Sequence, residues 1–381
     1  MGLIGYVVPT RNRPERIHAL LAALGSLPAH DAELVIADNA SAEPVRAPRE
    51  LANGLPVTVL RLARNRAAAA RNDAVQALDD SRDWAVMLDD DSAPTDLGFI
   101  QALRHQPGDV AAVMADIHLP RAGEREHGGL PEVFIGCGVA IRREAFLATG
   151  GYDPAFGYYA EEYDLAAKLI LAGARVTFDP AFRVDHQKAT EGRDTDLILH
   201  RLVRNNGWVM QRYAPDHERA AEMHEIRTRY KRIAEKEWAL PGYTRGLREL
   251  KRTTILQPRT PMPQHLWERF TGFAAAHAAL CAAQDRAPFR TAALVRPGKN
   301  ARIVARAIEA SGAAVVNDPE NAEALVIGTL SPGPMIDAAL EFSADLRLIA
   351  PWSVAQRYAE TGAFEPDGTI PLAQEPNPAT A

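Results

Sequence analysis

The sequence predicts an α/β fold built on a mostly parallel sheet. Over the first hundred residues, short apolar runs bounded by turn residues alternate with helix-spaced segments, which is the pattern of a sheet covered by helices on both faces. Polar residues follow directly after three of these apolar runs. Open α/β sheets bind ligands at the carboxyl ends of their strands, so the sequence also predicts a site at that edge.

The individual elements follow from apolar runs and from helix signals. Pro14 favours a helix start after the first strand, since proline is common at the first helical position. The alanine-rich stretch 67–78 predicts a second helix because alanine is the best helix former. A segment over 120–131, rich in Gly, Glu and Arg, predicts a mobile surface loop. The predicted strands are 3–8, 33–37, 57–62, 84–88, 110–114 and 182–184.

Three consecutive aspartates end the strand predicted at 84–88. If the extended geometry continues, Asp89 and Asp91 share one face and Asp90 points away. Two like charges this close are unfavourable unless a cation lies between them. A hard divalent ion that carries a phosphate-bearing ligand is the natural occupant, and a solvated acidic turn is the alternative.

Composition limits the class of protein. The chain has 381 residues, of which 47% are hydrophobic, so two or three domains are expected. Its net charge is −6, so the composition shows no overall positive charge of the kind that binds nucleic acid. Two cysteines form no disulfide framework and fit a reducing compartment. No apolar run approaches the roughly 18 residues of a membrane span, and the N-terminus does not resemble a signal peptide. These features predict a cytoplasmic protein.

Several motifs occur in an order and spacing that resemble family 2 glycosyltransferases with the GT-A fold. The resemblance covers about residues 1–215. Two departures are an alanine, Ala67, where the family usually has glycine, and an acidic pair that reads Glu-Glu where Glu-Asp is common. The matching pieces are Pro-Thr-Arg-Asn at 9–12, Asp-Asn at 38–39, Arg-Asn at 71–72, Leu-Asp-Asp-Asp at 88–91, Arg-Arg-Glu-Ala-Phe at 142–146, Gly-Gly-Tyr-Asp at 150–153, Glu-Glu-Tyr-Asp-Leu at 161–165 and a final histidine at 186.

The resemblance implies an inverting transfer of sugar from a nucleoside-diphosphate sugar to an acceptor hydroxyl. Glu162 is the implied general base, supported by Glu161 and Asp164. The implied metal ligands are Asp91, Asp89 and His186, with Mn²⁺ or Mg²⁺ as cofactor. A UDP-sugar is the favoured donor; a glycan, lipid-linked sugar, peptide or small molecule could be the acceptor. The implied donor-binding residues are Thr10, Arg11, Asn12, Asp38, Arg71, Asp89, Asp90 and Gly138.

Simpler roles remain open for several of these residues. Acidic residues at a helix start can merely complement the helix dipole. Asp38 could cap a turn, Arg71 could lie on a surface helix, and His186 could hydrogen-bond near the surface. Two other functions also remain: a nucleotidyltransferase, which would need a Gly-rich loop with Arg and Lys near the N-terminus, and a non-catalytic sugar-nucleotide-binding module.

Beyond the catalytic region 1–215, the sequence predicts a helical extension, a small α/β unit and a disordered tail. The helical extension, 216–285, carries a basic run that is ordinarily a solvated face; a peripheral membrane or oligomer contact is the alternative. The α/β unit, 286–360, is expected to fold separately and not to contribute to the transfer site. Its loop 296–300 could cradle a phosphate but lacks a phosphate-loop motif. The predicted tail is 361–381.

Overall fold

The computed structural model describes residues 3–188 and 194–352. Its N-terminal part is a nine-stranded mixed sheet in the order β3-β2-β1-β4-β8-β6-β9-β5, with β7 paired to β6. Strands β1 to β4 are mutually parallel and β6 runs parallel to β9, whereas β8 is antiparallel to both of its neighbours. The strands are β1 Leu3–Thr10, β2 Ala32–Asp38, β3 Val57–Arg61, β4 Arg82–Met87, β5 Ser92–Pro94, β6 Val110–Leu119, β7 Glu124–Arg125, β8 Val139–Arg142 and β9 Arg175–His186. This confirms the predicted α/β fold.

Both faces of the sheet are covered, as the continuous apolar runs predict. In β1, Val7 packs into the core on one face while Tyr6 and Val8 pack into the core on the other. Full burial on both faces is typical of parallel strands between helices. The helices of this part are α1 Pro14–Ser26, α2 Ala70–Gln76, α3 Gly98–Arg104, α4 Arg143–Ala148 and α5 Glu161–Leu171.

Five helices follow the sheet. Helices α6 and α8 approach closely because Gly242 and Gly246 face the α6 backbone, where a Cβ atom would collide with Asp196 and His200. The five are α6 Thr195–Tyr213, α7 Asp216–Lys236, α8 Leu240–Thr253, α9 Gln264–Thr271 and α10 Phe273–Arg286. Across the two described ranges, no helix combines the length and the apolar character needed to cross a membrane.

A second, four-stranded parallel sheet lies near the C-terminal end, in the order β11-β10-β12-β13. From β10 the chain first adds β11 on one side and then adds β12 on the other side, so the order of the strands across the sheet reverses at β10. Its buried residues belong to the same continuous hydrophobic cluster as those of the middle helices. Residues 353–360 of the predicted unit and the predicted tail 361–381 lie outside the described residues. The elements are β10 Thr291–Val295, α11 Ala301–Ala310, β11 Ala314–Val316, β12 Ala324–Ile327, α12 Pro332–Glu341 and β13 Leu348–Ile349.

Two local predictions are wrong. The alanine-rich stretch is not one helix: Ala67 has a φ of 52°, residues 67–69 form a 3₁₀ turn, and α2 begins only at Ala70. The segment 120–131 is not simply a surface loop, because Glu126 and Leu130 are 5% and 2% exposed. Leu130 joins the core, and Glu126 pairs with residues that follow β9.

Candidate active site

The three aspartates diverge as soon as the chain leaves the sheet. Strand β4 ends at Met87, so the extended geometry does not continue through the triplet. Asp89 pairs with Arg71, whereas Asp90 and Asp91 both approach Arg13, at 2.6 and 3.6 Å. The predicted face shared by Asp89 and Asp91 is therefore wrong.

Arg71 is held by the end of β4 and by the chain before β8. Its Nη2 donates to Asp89, to the Leu88 carbonyl at 3.3 Å and to the Gly136 carbonyl at 3.4 Å. Burial lowers the pKa of Arg71, but the charge of Asp89 outweighs it and the pKa is raised overall. Arg71 is thus a permanent cation beside Asp89, which suits a diphosphate.

His186 lies between two carboxylates. Its Nδ1 contacts Glu126 at 2.8 Å and its Nε2 contacts Asp91 at 3.3 Å, while Lys188 pairs with the other oxygen of Glu126 at 2.5 Å. Burial lowers the pKa of His186, but hydrogen bonds with Asp91, Cys137 and Glu126 raise it to about 12. The ordinary histidine pKa of about 6.5 therefore does not apply, and the ring is an imidazolium in this arrangement.

Ligand atoms for a cation converge at the same place. Within the described residues, Asp89, Cys137 and His186 each offer one atom, and these atoms lie within 4.8 Å of one another. Asp91 contacts His186 at 3.3 Å but is not one of these three residues. A carboxylate oxygen, an imidazole nitrogen and a thiol sulfur are all ligands of divalent transition metals, so the donor set fits such a cation. Metal binding would have to displace the ring proton of His186.

Glu161 and Glu162 begin helix α5, directly after Ala160, whose φ is 64°. Burial raises the pKa of Glu161 well above its usual range, and the charge of Glu162 adds to this effect. Among the described residues, Glu161 Oε2 is buried without a hydrogen-bond partner. Burial also raises the pKa of Glu162. A Cβ atom at Gly136 would lie 3.3 Å from Glu162 Oε1, so the glycine leaves this carboxylate room.

One cavity of about 450 Å³ joins these groups. Strand ends supply Asp89 and His186, and helices supply Arg71, Glu161 and Glu162. Helix α6, within the predicted catalytic region, adds Arg201, Leu202 and Asn206 to its lining. The helical extension adds Tyr230 and the C-terminal unit adds Lys299, which the sequence did not predict. The prediction that 286–360 does not contribute to the site is therefore wrong at Lys299.

Several predicted donor-binding residues are not in this cavity. The buried Thr10 donates its hydroxyl hydrogen to Asp90 at 2.7 Å. Asp38 has no exposed side-chain surface, and its carboxylate accepts hydrogen bonds from the Ser41 and Val45 amides and from Arg61. It shapes the loop after β2 and does not line the cavity.

Arg11 and Asn12, the other two residues of the first motif, directly follow β1. Asn12, with a φ of 56°, accepts a hydrogen bond from the Ala42 amide at 2.8 Å. Arg11 is exposed. Asn12 lines a separate cavity of about 480 Å³ between the start of α1 and the segment 41–46.

Two further predicted residues act in packing. A Cβ atom at Gly138 would come within 2.8 Å of Ile117, so packing in the core requires glycine at this position. Asp164 is fully buried and contacts Lys168, Arg212 and Tyr213 at 2.7, 2.8 and 2.7 Å. It joins α5 to α6 and does not line the cavity.

The sequence analysis did not single out Glu126, Cys137 or Tyr230, which line the cavity. Glu126 lies in a segment without periodicity, and Tyr230 lies in a charged helix, so neither carries a local signal. Loop 296–300 did carry one, because its Gly-Lys pair suggested a phosphate cradle.

Comparison with known proteins gives a consistent assignment. The model of glycosyl transferase family 2 matches residues 6–150, which include Arg71 and the aspartate triplet but not Glu162 or His186. A pre-mycofactocin glycosyltransferase of Mycobacterium tuberculosis is 26% identical over 212 residues, covering 49% of this chain and 43% of the relative. An uncharacterized glycosyltransferase of Haemophilus influenzae is 27% identical over 193 residues, covering 44% and 62%. The chain thus spans about half the length of these curated relatives.

Among solved structures, a mannosyltransferase from Pyrobaculum calidifontis in complex with GDP-Man and Mn²⁺ is similar, with a TM-score of 0.44. It is 17% identical, and the match covers 72% of this chain and 80% of that one.

Proposed function

Residues 6–150 match the model of glycosyl transferase family 2, and on that premise we propose that this chain transfers a sugar from a nucleoside-diphosphate sugar to an acceptor hydroxyl. The observation that carries the proposal is the single cavity shared by Arg71, Asp89 and Glu162. It combines a fixed cation for a diphosphate with a carboxylate that can accept a proton. A UDP-sugar is the favoured donor.

The reaction is a single displacement. The acceptor oxygen forms a bond to the anomeric carbon as the bond from that carbon to the diphosphate oxygen breaks. The hydroxyl proton passes to the Glu162 carboxylate, and the nucleoside diphosphate leaves with the electron pair. Arg71 offsets charge on the leaving group, and attack from the opposite side inverts the anomeric configuration.

Asp89 and His186 are the residues that would hold a divalent cation, with Asp91 and Glu126 contacting the imidazole. A cation bound there would act as a Lewis acid on the leaving diphosphate. Oxygen and nitrogen ligands together favour Mn²⁺ over Mg²⁺, which prefers an all-oxygen shell.

Donor hydrolysis without an acceptor tests the proposal directly. UDP-, GDP- and dTDP-sugars would be incubated with the full chain and Mn²⁺ or Mg²⁺, and release of nucleoside diphosphate would be measured. We expect release from at least one donor, with Asp89→Asn as the inactive comparison. No release and no calorimetric binding of any of these donors would rule the proposal out.

We predict that His186→Ala weakens Mn²⁺ binding about tenfold or more, by analogy with losses at metal-site residues. Because the pKa of His186 is raised to about 12, Mn²⁺ must displace its proton, so wild-type affinity should rise about tenfold per pH unit around neutrality. Electron paramagnetic resonance of free Mn²⁺ measures both effects. His105→Ala, on an exposed ring beyond α3, is the control. Equal affinity in His186→Ala and wild type would remove this residue from the ligand set.

An anionic membrane surface is a proposed partner of the helical region, and the support lies on α8. Arg245, Arg248, Lys251 and Arg252 are all exposed on this helix. Its one acidic residue, Glu249, turns inward to Arg204 at 2.8 Å. The exposed face is therefore uniformly positive, which attracts anionic lipid headgroups.

Large apolar side chains stand at both ends of this basic face. Trp238 is 93% exposed before α8, and Ile255 and Leu256 are 86% and 74% exposed after it. Aromatic and aliphatic side chains around a basic helix face are the composition of an interfacial helix. Helix α8 packs on α6, and α6 lines the cavity through Arg201 and Asn206. An acceptor carried by a membrane bound at α8 would therefore be separated from the cavity by a single helix.

We predict that the chain sediments with phosphatidylcholine vesicles containing phosphatidylglycerol and much less with phosphatidylcholine alone. Changing Trp238, Ile255 and Leu256 to Ser should reduce the bound fraction at least about tenfold, since this removes most of the apolar insertion. Leu346→Ser is the matched control, because Leu346 is 83% exposed but lies in the C-terminal unit. Equal binding by the triple variant and wild type would contradict the proposal.

A further inference from the structure

A second cavity adjoins the first. It has a volume of about 460 Å³ and shares His127, Gly128 and Lys299 with the cavity that holds Glu162. Its remaining walls come from Glu124 of β7, from the loops after β10 and β12 and from α12. These loops leave the carboxyl ends of neighbouring parallel strands, at the point where the order of the strands across the sheet reverses. Open α/β sheets bind ligands in that crevice.

The position of this crevice is fixed by contacts between the two sheets. Ser331, which precedes α12, exchanges hydrogen bonds with the backbone of Gly128, the amide donating to its hydroxyl at 2.8 Å. Asp337 accepts hydrogen bonds from the Arg125 amide and guanidinium at 2.9 and 2.6 Å. The C-terminal unit is therefore held against the rim of the first cavity, and the two adjoining cavities, which share three lining residues, are together called the groove.

Lys299 lines both cavities of the groove. Its ammonium stands 4.8 Å from the ring of Tyr163, the neighbour of Glu162 in helix α5. Within 3–188 and 194–352 no ion pair forms at this ammonium, whereas Arg296 and Asp337 in the same crevice are paired with Glu341 and Arg125. Burial lowers the pKa of Lys299 to about 8, so it keeps its charge near neutrality without a carboxylate partner.

A second polar group beside Lys299 also lacks a partner. The hydroxyl of Tyr163 is buried and has no hydrogen-bond partner among the described residues. Buried polar groups are normally satisfied, but this hydroxyl oxygen is closed off from the cavity that Tyr163 lines. Lys299 is therefore the charged donor next to Glu162, with the Tyr163 ring 4.8 Å from its ammonium.

We propose that this groove is the acceptor subsite, in which Lys299 binds a carboxylate or phosphate group of the acceptor while an acceptor hydroxyl faces Glu162. The proposal rests on the transfer reaction proposed above and adds the class of acceptor: a molecule with an anionic group close to the hydroxyl that is glycosylated. The crevice between β10 and β12 holds the part of the acceptor beyond this anion.

Protection of the Lys299 amine from acetylation tests the proposal without any turnover. The full chain would be labelled with acetic anhydride at pH 8, and acetylation of each lysine would be measured by mass spectrometry. Glucuronate supplies the carboxylate, glucose 6-phosphate the phosphate, and methyl glucoside the neutral comparison. We expect at least one anion to slow labelling of Lys299 and methyl glucoside to have no effect. Lys231, 60% exposed on α7, is the internal control and should not respond.

Two outcomes overturn the proposal. One is that neither anion protects Lys299, or that methyl glucoside protects it equally. The other is that UDP or GDP alone protects it as fully as the anions, because the lysine would then belong to the donor. The donor-hydrolysis measurement stands apart from this test, so absence of hydrolysis identifies failure of the transfer reaction itself.

Lys299→Met gives an independent measurement where a probe acts as acceptor. Methionine keeps the length of the side chain and removes its charge. The ratio of transfer to the anionic acceptor over methyl glucoside should fall about tenfold or more, the usual value of a charge-assisted hydrogen bond. Lys231→Met should keep the wild-type ratio. An unchanged ratio in Lys299→Met would overturn the assignment.

Discussion

Glu162→Gln should reduce sugar transfer by about 10²–10⁴ while leaving donor binding intact. Glutamine keeps the size and hydrogen-bonding capacity of the side chain but cannot accept the acceptor proton. Glu162 is the cavity carboxylate beside Gly136 and Tyr163, and within the described residues it forms no ion pair. Transfer would be measured by product formation, and donor affinity by calorimetry.

The control is Glu144→Gln, an exposed position on α4, which should transfer at the wild-type rate. The same assignment fixes the sign of the pH dependence. Because burial raises the pKa of Glu162, the base is lost to protonation at a higher pH than an ordinary glutamate. Transfer should therefore decline as pH falls, with a midpoint above about 4.3. More than about a tenth of wild-type transfer in Glu162→Gln would assign the base to another group.

Asp164→Asn should lower the free energy of unfolding by about 3–5 kcal/mol, the cost of breaking a buried ion pair. Its carboxylate is fully buried between Lys168 and Arg212 and also accepts a hydrogen bond from Tyr213. Removing the negative charge leaves the buried Arg212, which keeps Asp153 at 2.8 Å, and the partly exposed Lys168, which keeps a hydrogen bond to the Gly151 carbonyl at 3.1 Å. Urea unfolding followed by circular dichroism measures the change.

Asp109→Asn is the matched control for this substitution. Asp109 pairs with Arg175 at 2.6 Å, but both side chains are about half exposed, so the change should cost no more than about 1 kcal/mol. If Asp164→Asn cost as little as Asp109→Asn, Asp164 would not be a structural link between α5 and α6. Its place in the acidic motif would then need a role in the cavity.

The sequence predicted the strands and the helix start whose signals lie within the segment itself. Apolar runs predicted strands β1 to β4 to within a residue or two, because a strand buried on both faces must be apolar throughout, whereas β6 and β9 extend well beyond the predicted 110–114 and 182–184. The start of α5 at Glu161 and the histidine at the end of β9 were also predicted. These features need no knowledge of distant partners.

The arrangement of the site depends on distant partners and could not be predicted this way. The direction of each aspartate is set by Arg71, Arg13 or His186, which come from other elements. Glu126 reaches His186 only because the segment after β6 folds back over β9. Lys299 reaches the cavity only because the C-terminal sheet docks on that segment, and no periodicity in either stretch records the contact.

The anomeric configuration of the first product tests the central claim most directly. With an α-linked donor identified in the hydrolysis screen, proton NMR of the early reaction mixture would measure the coupling constant of the new anomeric proton. A direct attack assisted by Glu162 predicts a β-configured product from the start of the reaction. An α-configured first product would contradict the single displacement and the role given to Glu162.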